Sequence, residues 1–225
     1  MKRFGMLAVL AAVACTSSRG RIKMGELHAA LANASGLEGD PLDKTPVEFD
    51  QTGKPEYDQF FVEAAKVQAG LVVSNALVEA LTKNVKAYAM SYVAANAADA
   101  SVQQLLNGRT AEQMGPEEAI AVLKLKKAKS GLSADEGKYA LRTGANTLQT
   151  ALYMKESVVS TKGLAEKGQT LSGKVKSDFT GLDATKAPGV ASALTSSVNN
   201  LTQAATTVPD IARQLTRLAE GLASL

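Results

Sequence analysis

Few side chains in this sequence have the chemistry of a catalytic or metal site. Of its 225 residues one is a cysteine, Cys15, and one a histidine, His28. A serine or cysteine nucleophile needs a base within hydrogen-bond reach, and the only imidazole lies in a leader stretch ahead of the long helical segments. A cysteine-based zinc site cannot be assembled from one thiol, and His28 has no second histidine or cysteine nearby to share a metal. Carboxylates are plentiful, yet the Glu-x-x-His pair of di-iron bundles does not occur. A haem would have only Met90, Met114 or Met154 to ligate it beside His28. Gly163, Gly168 and Gly173 are spaced by five and lack the lysine-serine ending of a phosphate-cradling loop. The expectation is a protein without enzymatic chemistry, cofactor or metal. What polar chemistry remains is on one long apolar segment, where Ser74, Asn75, Tyr88 and Tyr92 are candidates to line a ligand groove. Tyrosines at such positions otherwise serve as core residues with the hydroxyl at the bundle edge, and Asn75 beside Ser74 as a register-setting pair.

Composition narrows the class. Lysine and arginine number 25 against 22 acidic residues, a formal charge of +3. That falls to about +1 if Lys2 and Arg3 leave with a cleaved N-terminal segment, too weak a field to hold a polyanion, so nucleic-acid binding is disfavoured. Aromatics are only 4%, tryptophan is absent and prolines number six. This suits close helix-on-helix packing and argues for an all-α fold. With one cysteine no intrachain disulfide forms, so packing alone must hold the fold.

The N-terminus reads as an address. Lys2 and Arg3 precede an apolar run over residues 4–13, too short to cross a bilayer as a helix, and small residues stand three and one before Cys15 in Ala12-Val13-Ala14-Cys15. This junction resembles the bacterial lipoprotein signal class, in which a small residue precedes a cysteine that is acylated and becomes the new N-terminus. Ala12 stands where leucine is commonest in that class. The resemblance implies that residues 1–14 are removed and that Cys15 is lipidated. It also implies, because Thr16 rather than aspartate follows, sorting to the outer membrane of a Gram-negative envelope. The alternative is an ordinary secretory signal whose cleavage motif happens to precede a cysteine. Thr16-Ser17-Ser18-Arg19-Gly20 then has the small polar character of a tether. A short helix is expected over residues 22–34, and Gly39, Pro41, Pro46, Gly53 and Pro55 punctuate an otherwise irregular leader.

The body is organised around residues 55–98. Tyr57, Ala64, Leu71, Val78, Val85 and Tyr92 recur in sevens, as do Phe60, Val67, Ser74, Leu81, Tyr88 and Ala95. The spacing predicts one helix roughly 65 Å long that needs partners of similar length. Residues 99–107 either continue it or form a separate turn closed by Asn107-Gly108. Pro116 opens a short helix rich in lysine at its end, where the lysines are expected to be dipole partners on a solvated face rather than an anionic-lipid patch. Ser133 and Glu136 form a capping box for a second long helix. Its expected inward stripe is Leu141, Ala145, Leu148, Leu152 and Val159, resuming as Leu164, Leu171, Val175 and Phe179. Pro188 opens the last helix, whose seam runs through Leu194, Leu201, Val208, Leu215 and Leu222, with Ser197, Ala204, Ile211, Leu218 and Leu225 at the second position. Pro209 is expected to kink it without ending it.

The expected organisation is thus a signal peptide at 1–14, a lipidated tether and leader at 15–54, and a helical domain at 55–225. That domain is expected to be an elongated antiparallel up-down bundle of three long helices and one short one. The expected role is a lipid-anchored envelope protein, held to the membrane by its N-terminus and acting as a structural or interaction module for another envelope protein. The alternative is an envelope lipoprotein that binds a small apolar ligand or cofactor inside the bundle. Membrane insertion by the helices is disfavoured because no segment beyond the signal is apolar for 18 residues.

Overall fold

The computed structural model describes residues 18–27, 37 and 39–225, so Cys15 and His28 lie outside the described residues. The chain is all-α in class. Strands β1 (Arg19–Arg21) and β2 (Glu48–Asp50) precede or interleave with helix α1 (Pro41–Lys44). Then follow α2 (Pro55–Ala95), α3 (Ala100–Leu106), α4 (Pro116–Ser130), α5 (Ala134–Asp178) and α6 (Ala187–Ala223).

Helix α2 starts where its sequence predicts. Pro55 occupies a first-turn position whose N–H would be unsatisfied anyway. The Asp58 carboxylate accepts from the Thr52 amide (2.5 Å), the Thr52 hydroxyl (2.8 Å) and the Gly53 amide (3.1 Å), which fixes the entry of the chain. The helix ends at Ala95 rather than at 98, because the Asn96 side-chain amide donates to the Tyr92 carbonyl (2.9 Å) and takes an acceptor of the last turn. Asp99 then caps a separate α3 through the Ser101 amide (2.8 Å), and Asn107 at φ 49° closes it. The residues 99–107 are therefore their own helix, and α1 is a further short one beyond the single short helix expected.

The leader is more ordered than its punctuation suggests. β1 and β2 pair antiparallel with Gly20 opposite Phe49, and a Cβ on Gly20 would stand 2.1 Å from the Phe49 ring. Ile22, Leu42 and Val47 are buried against Ala65, Ala69 and Val73 of α2. The expected tether is thus already a strand from Arg19, and the leader is a small cap on α2. Of the expected helix at 22–34, the described part is one 3₁₀ turn at Met24–Glu26, and residues 28–36 lie outside the described residues.

The three long helices meet through residues that fix their order of contact. The Tyr57 hydroxyl donates to Asp178 Oδ2 (2.7 Å) and its ring stands edge-on to Phe179 at 5.1 Å. Further along, Gly70 faces Tyr153, and the Tyr88 and Tyr139 rings lie 5.2 Å apart. Between α5 and α6, Gly168 faces Val198 and Gly144 faces Ala219 and Leu222. The α6 seam is buried as predicted at Leu194, Leu201, Val208, Leu215 and Leu222, and the helix runs through Pro209. α4 packs across one end, with Ile120 against Gly221 and Lys126 Nζ donating to Glu136 Oε1 (2.5 Å). Two more of its lysines are tied down too, Lys127 to the Ser224 carbonyl and Lys129 to Asp99.

Helix α5 reverses one expectation. It is continuous from the predicted Ser133–Glu136 capping box through the half that carries Gly163, Gly168 and Gly173. Its inward face, however, is Ala140, Gly144, Thr147, Thr150, Ala151, Met154 and Thr161 before Leu171 and Val175, while Leu141, Leu148, Leu152 and Val159 point to solvent. Two physical facts allow this. Small residues let α6 approach closely, and the Thr147, Thr150 and Thr161 hydroxyls donate to carbonyls four residues back (2.7, 2.9 and 2.6 Å), so their burial leaves no polar group unpaired. The membrane expectation is also amended: α2 contains an 18-residue window of mean hydropathy 1.3, long and apolar enough to cross a bilayer by length and composition, with 39% of it buried in the chain. A core helix meets the same test.

Candidate functional site

The four polar candidates on α2 do not converge. Ser74 is fully buried and its hydroxyl has no hydrogen-bond partner among the described residues. Asn75 is exposed, about 100° around the helix from Ser74, so the two side chains do not face one place. Tyr88 stacks at a tilt on Tyr139, and Tyr92 is buried in an apolar cluster with Val102, Leu106 and Met114. From Ser74 to Tyr88 is roughly 21 Å along the helix axis, so the serine and the tyrosines line no common groove.

A cleft does open between α2 and α5, in the interval between the Gly70–Tyr153 contact and the Tyr88–Tyr139 stack. Its volume is about 170 Å³. Leu77 and Leu81 of α2 and Leu215 of α6 give it an apolar lining, and Asn84, Arg142 and Asn146 supply polar groups. No sequence pattern announces it, because it arises where two helices diverge rather than from a run of like residues.

The second feature is the outward face of α5. Leu141 is 65% exposed, Leu148 43%, Leu152 50% and Val159 76%. With exposed Ala145 these residues are spaced four, three, four and seven, a coiled-coil seam with Lys155 filling the missing position. The stripe is roughly 27 Å long. Arg142, Gln149 and Glu156 follow one edge; the other edge, at Gly144 and Ala151, is buried against the bundle. Single exposed leucines are ordinary, but four aligned large aliphatic side chains on one helix are not.

The titrating groups near these features serve structure. Burial pushes the Tyr57 phenol up, assisted by its bond to Asp178, and burial likewise pushes the Tyr153 phenol up. The hydrogen bond from Lys126 holds the Glu136 carboxyl below its usual range. Among the described residues no group of three His, Cys, Asp or Glu side chains is placed to hold a metal ion.

Compared with known proteins, the chain matches no family model, no curated protein and no solved structure.

Proposed function

We propose that this chain is a non-enzymatic cell-envelope lipoprotein, anchored through acylated Cys15, that acts as an interaction module whose working surface is the outward face of α5. The observation that carries the interaction role is the exposed Leu141, Leu148, Leu152 and Val159 stripe on a rigid helix. The anchor rests on the Ala12-Val13-Ala14-Cys15 junction, and the outer-membrane address on Thr16. The order of contacts, Tyr57 with Phe179 and Tyr88 with Tyr139, then Gly168 with Val198 and Gly144 with Leu222, supports an up-down antiparallel arrangement of α2, α5 and α6. Fatty-acid labelling tests the anchor: wild type takes the label and partitions with membranes, and Cys15→Ser does neither. Equal partition of both forms with no label on wild type contradicts it. A photo-reactive residue at position 148 tests the surface: it forms a protein adduct in the native envelope, whereas one at exposed position 176 does not.

The cleft between α2 and α5 favours a second reading, a small ligand with an apolar body against Leu81 and Leu215 and a polar end toward Asn84 and Arg142. Native mass spectrometry of the purified chain decides it, a stoichiometric bound species supporting this reading and its absence from fresh envelope preparations contradicting it.

A further inference from the structure

We infer that the outward face of α5 pairs with the same face of a second copy, in antiparallel register about a two-fold axis level with residue 150. This rests on the interaction reading above and names its partner. The first argument is the seam. In that register Leu141 faces Val159 of the partner, Leu148 faces Leu152, and Ala145 faces Lys155, so each apolar layer is matched and the one long charged side chain lies across from the smallest residue. Lys155 can then lay its stem over Ala145 and keep its ammonium in water.

The second argument is charge. The same two-fold axis brings Arg142 to within about 3 Å of the level of Glu156 of the partner, twice by symmetry, and leaves Gln149 beside its own copy. Within the chain the ion pairs formed by the described residues leave Arg142, Lys155 and Glu156 out. A parallel pairing has none of this: Lys155 would face its own copy inside the seam, and Arg142 and Glu156 would gain no opposite charge. The third argument is space. Leu141, Leu148, Leu152 and Val159 are 43–76% exposed, so no described part of the chain fills the place a second helix would take along this face. Two helices in contact over this length bury about 1,000 Å² in all, the low end for a specific interface, so the dimer is weak, with a Kd on the order of 10 μM.

Sedimentation equilibrium of the full chain carrying Cys15→Ser, which keeps any acyl chain out of the measurement, tests the pairing. The expected result is a monomer–dimer equilibrium that Arg142→Glu and Glu156→Arg each weaken roughly tenfold and that the double charge reversal restores. All three variants alter exposed side chains, and circular dichroism checks that each remains helical. A monomer at every concentration, or a dimer that the double reversal fails to restore, overturns the antiparallel pairing. If the chain is monomeric while the adduct from position 148 joins it to a different protein, the second copy is overturned and the interaction reading stands. If there is neither dimer nor adduct, both fall.

Discussion

At the scale of single residues, the glycines of α5 divide into those that close a contact and those that only loosen a helix. A Cβ on Gly168 would stand 2.5 Å from Val198 Cγ2 and 2.7 Å from Phe60 Cζ, and Phe60 is itself fully buried. Gly168→Ala is therefore expected to lower stability by about 1–3 kcal/mol through overpacking. Gly163 and Gly173 have nothing within 4 Å of the same atom. Gly163→Ala or Gly173→Ala should raise stability by about 0.5–1 kcal/mol, since alanine loses less backbone freedom on folding. Denaturant titration of the three variants checks the sign of each. Glu136 gives a pH prediction. Its carboxyl lies below the ordinary 4.5 because Lys126 hydrogen-bonds the ionised form. A depressed carboxyl stabilises the fold above its unfolded value, and that contribution disappears as pH falls through the folded value. Glu136→Gln should thus be less stable than wild type at pH 7, and the gap should shrink below about pH 4.5 in thermal melts.

At the scale of elements, most of the helices were legible and their faces only partly so. The seams of α2 and α6 could be read because large aliphatic residues recur in sevens, and both stand buried at most of their positions. The start of α5 could be read from Ser133 and Glu136. Its inward face could not, because a row of Gly, Ala and Thr competes poorly with a row of Leu in any count of hydrophobicity. Close approach and self-satisfied threonine hydroxyls outweighed the leucines. The leader's strands are hidden for another reason: a three-residue strand has no period to detect until its partner, 29 residues away in the case of Gly20 and Phe49, is known. Pro209 carries the prediction for α6. Since the helix runs through it, the Pro209 ring forfeits a backbone bond to the turn before it, and Pro209→Ala should stabilise the domain. The gain is at most about 3 kcal/mol, reduced by the greater freedom of the unfolded alanine chain. A loss of stability, with fast amide exchange at Thr206 and Thr207, would show two helices instead of one.

At the scale of the whole molecule, the candidate site was legible as residues and illegible as a place. The leucines of α5 were visible as a heptad stripe, but whether a stripe faces the core or the solvent depends on what covers it. The cleft at Leu81 and Asn84 had no signature, and Ser74, Asn75, Tyr88 and Tyr92 share a helix without sharing a site. A docking face on α5 requires the stripe to lie outside. The most direct test is thermal unfolding of the full chain carrying Leu148→Asp and Leu152→Asp, at a concentration low enough to keep it monomeric. If the stripe is surface, the variant unfolds within a few degrees of wild type, while Leu171→Asp, which buries an unpaired carboxylate, collapses the fold. If the stripe variant falls as far as Leu171→Asp, those leucines are core and the docking face does not exist.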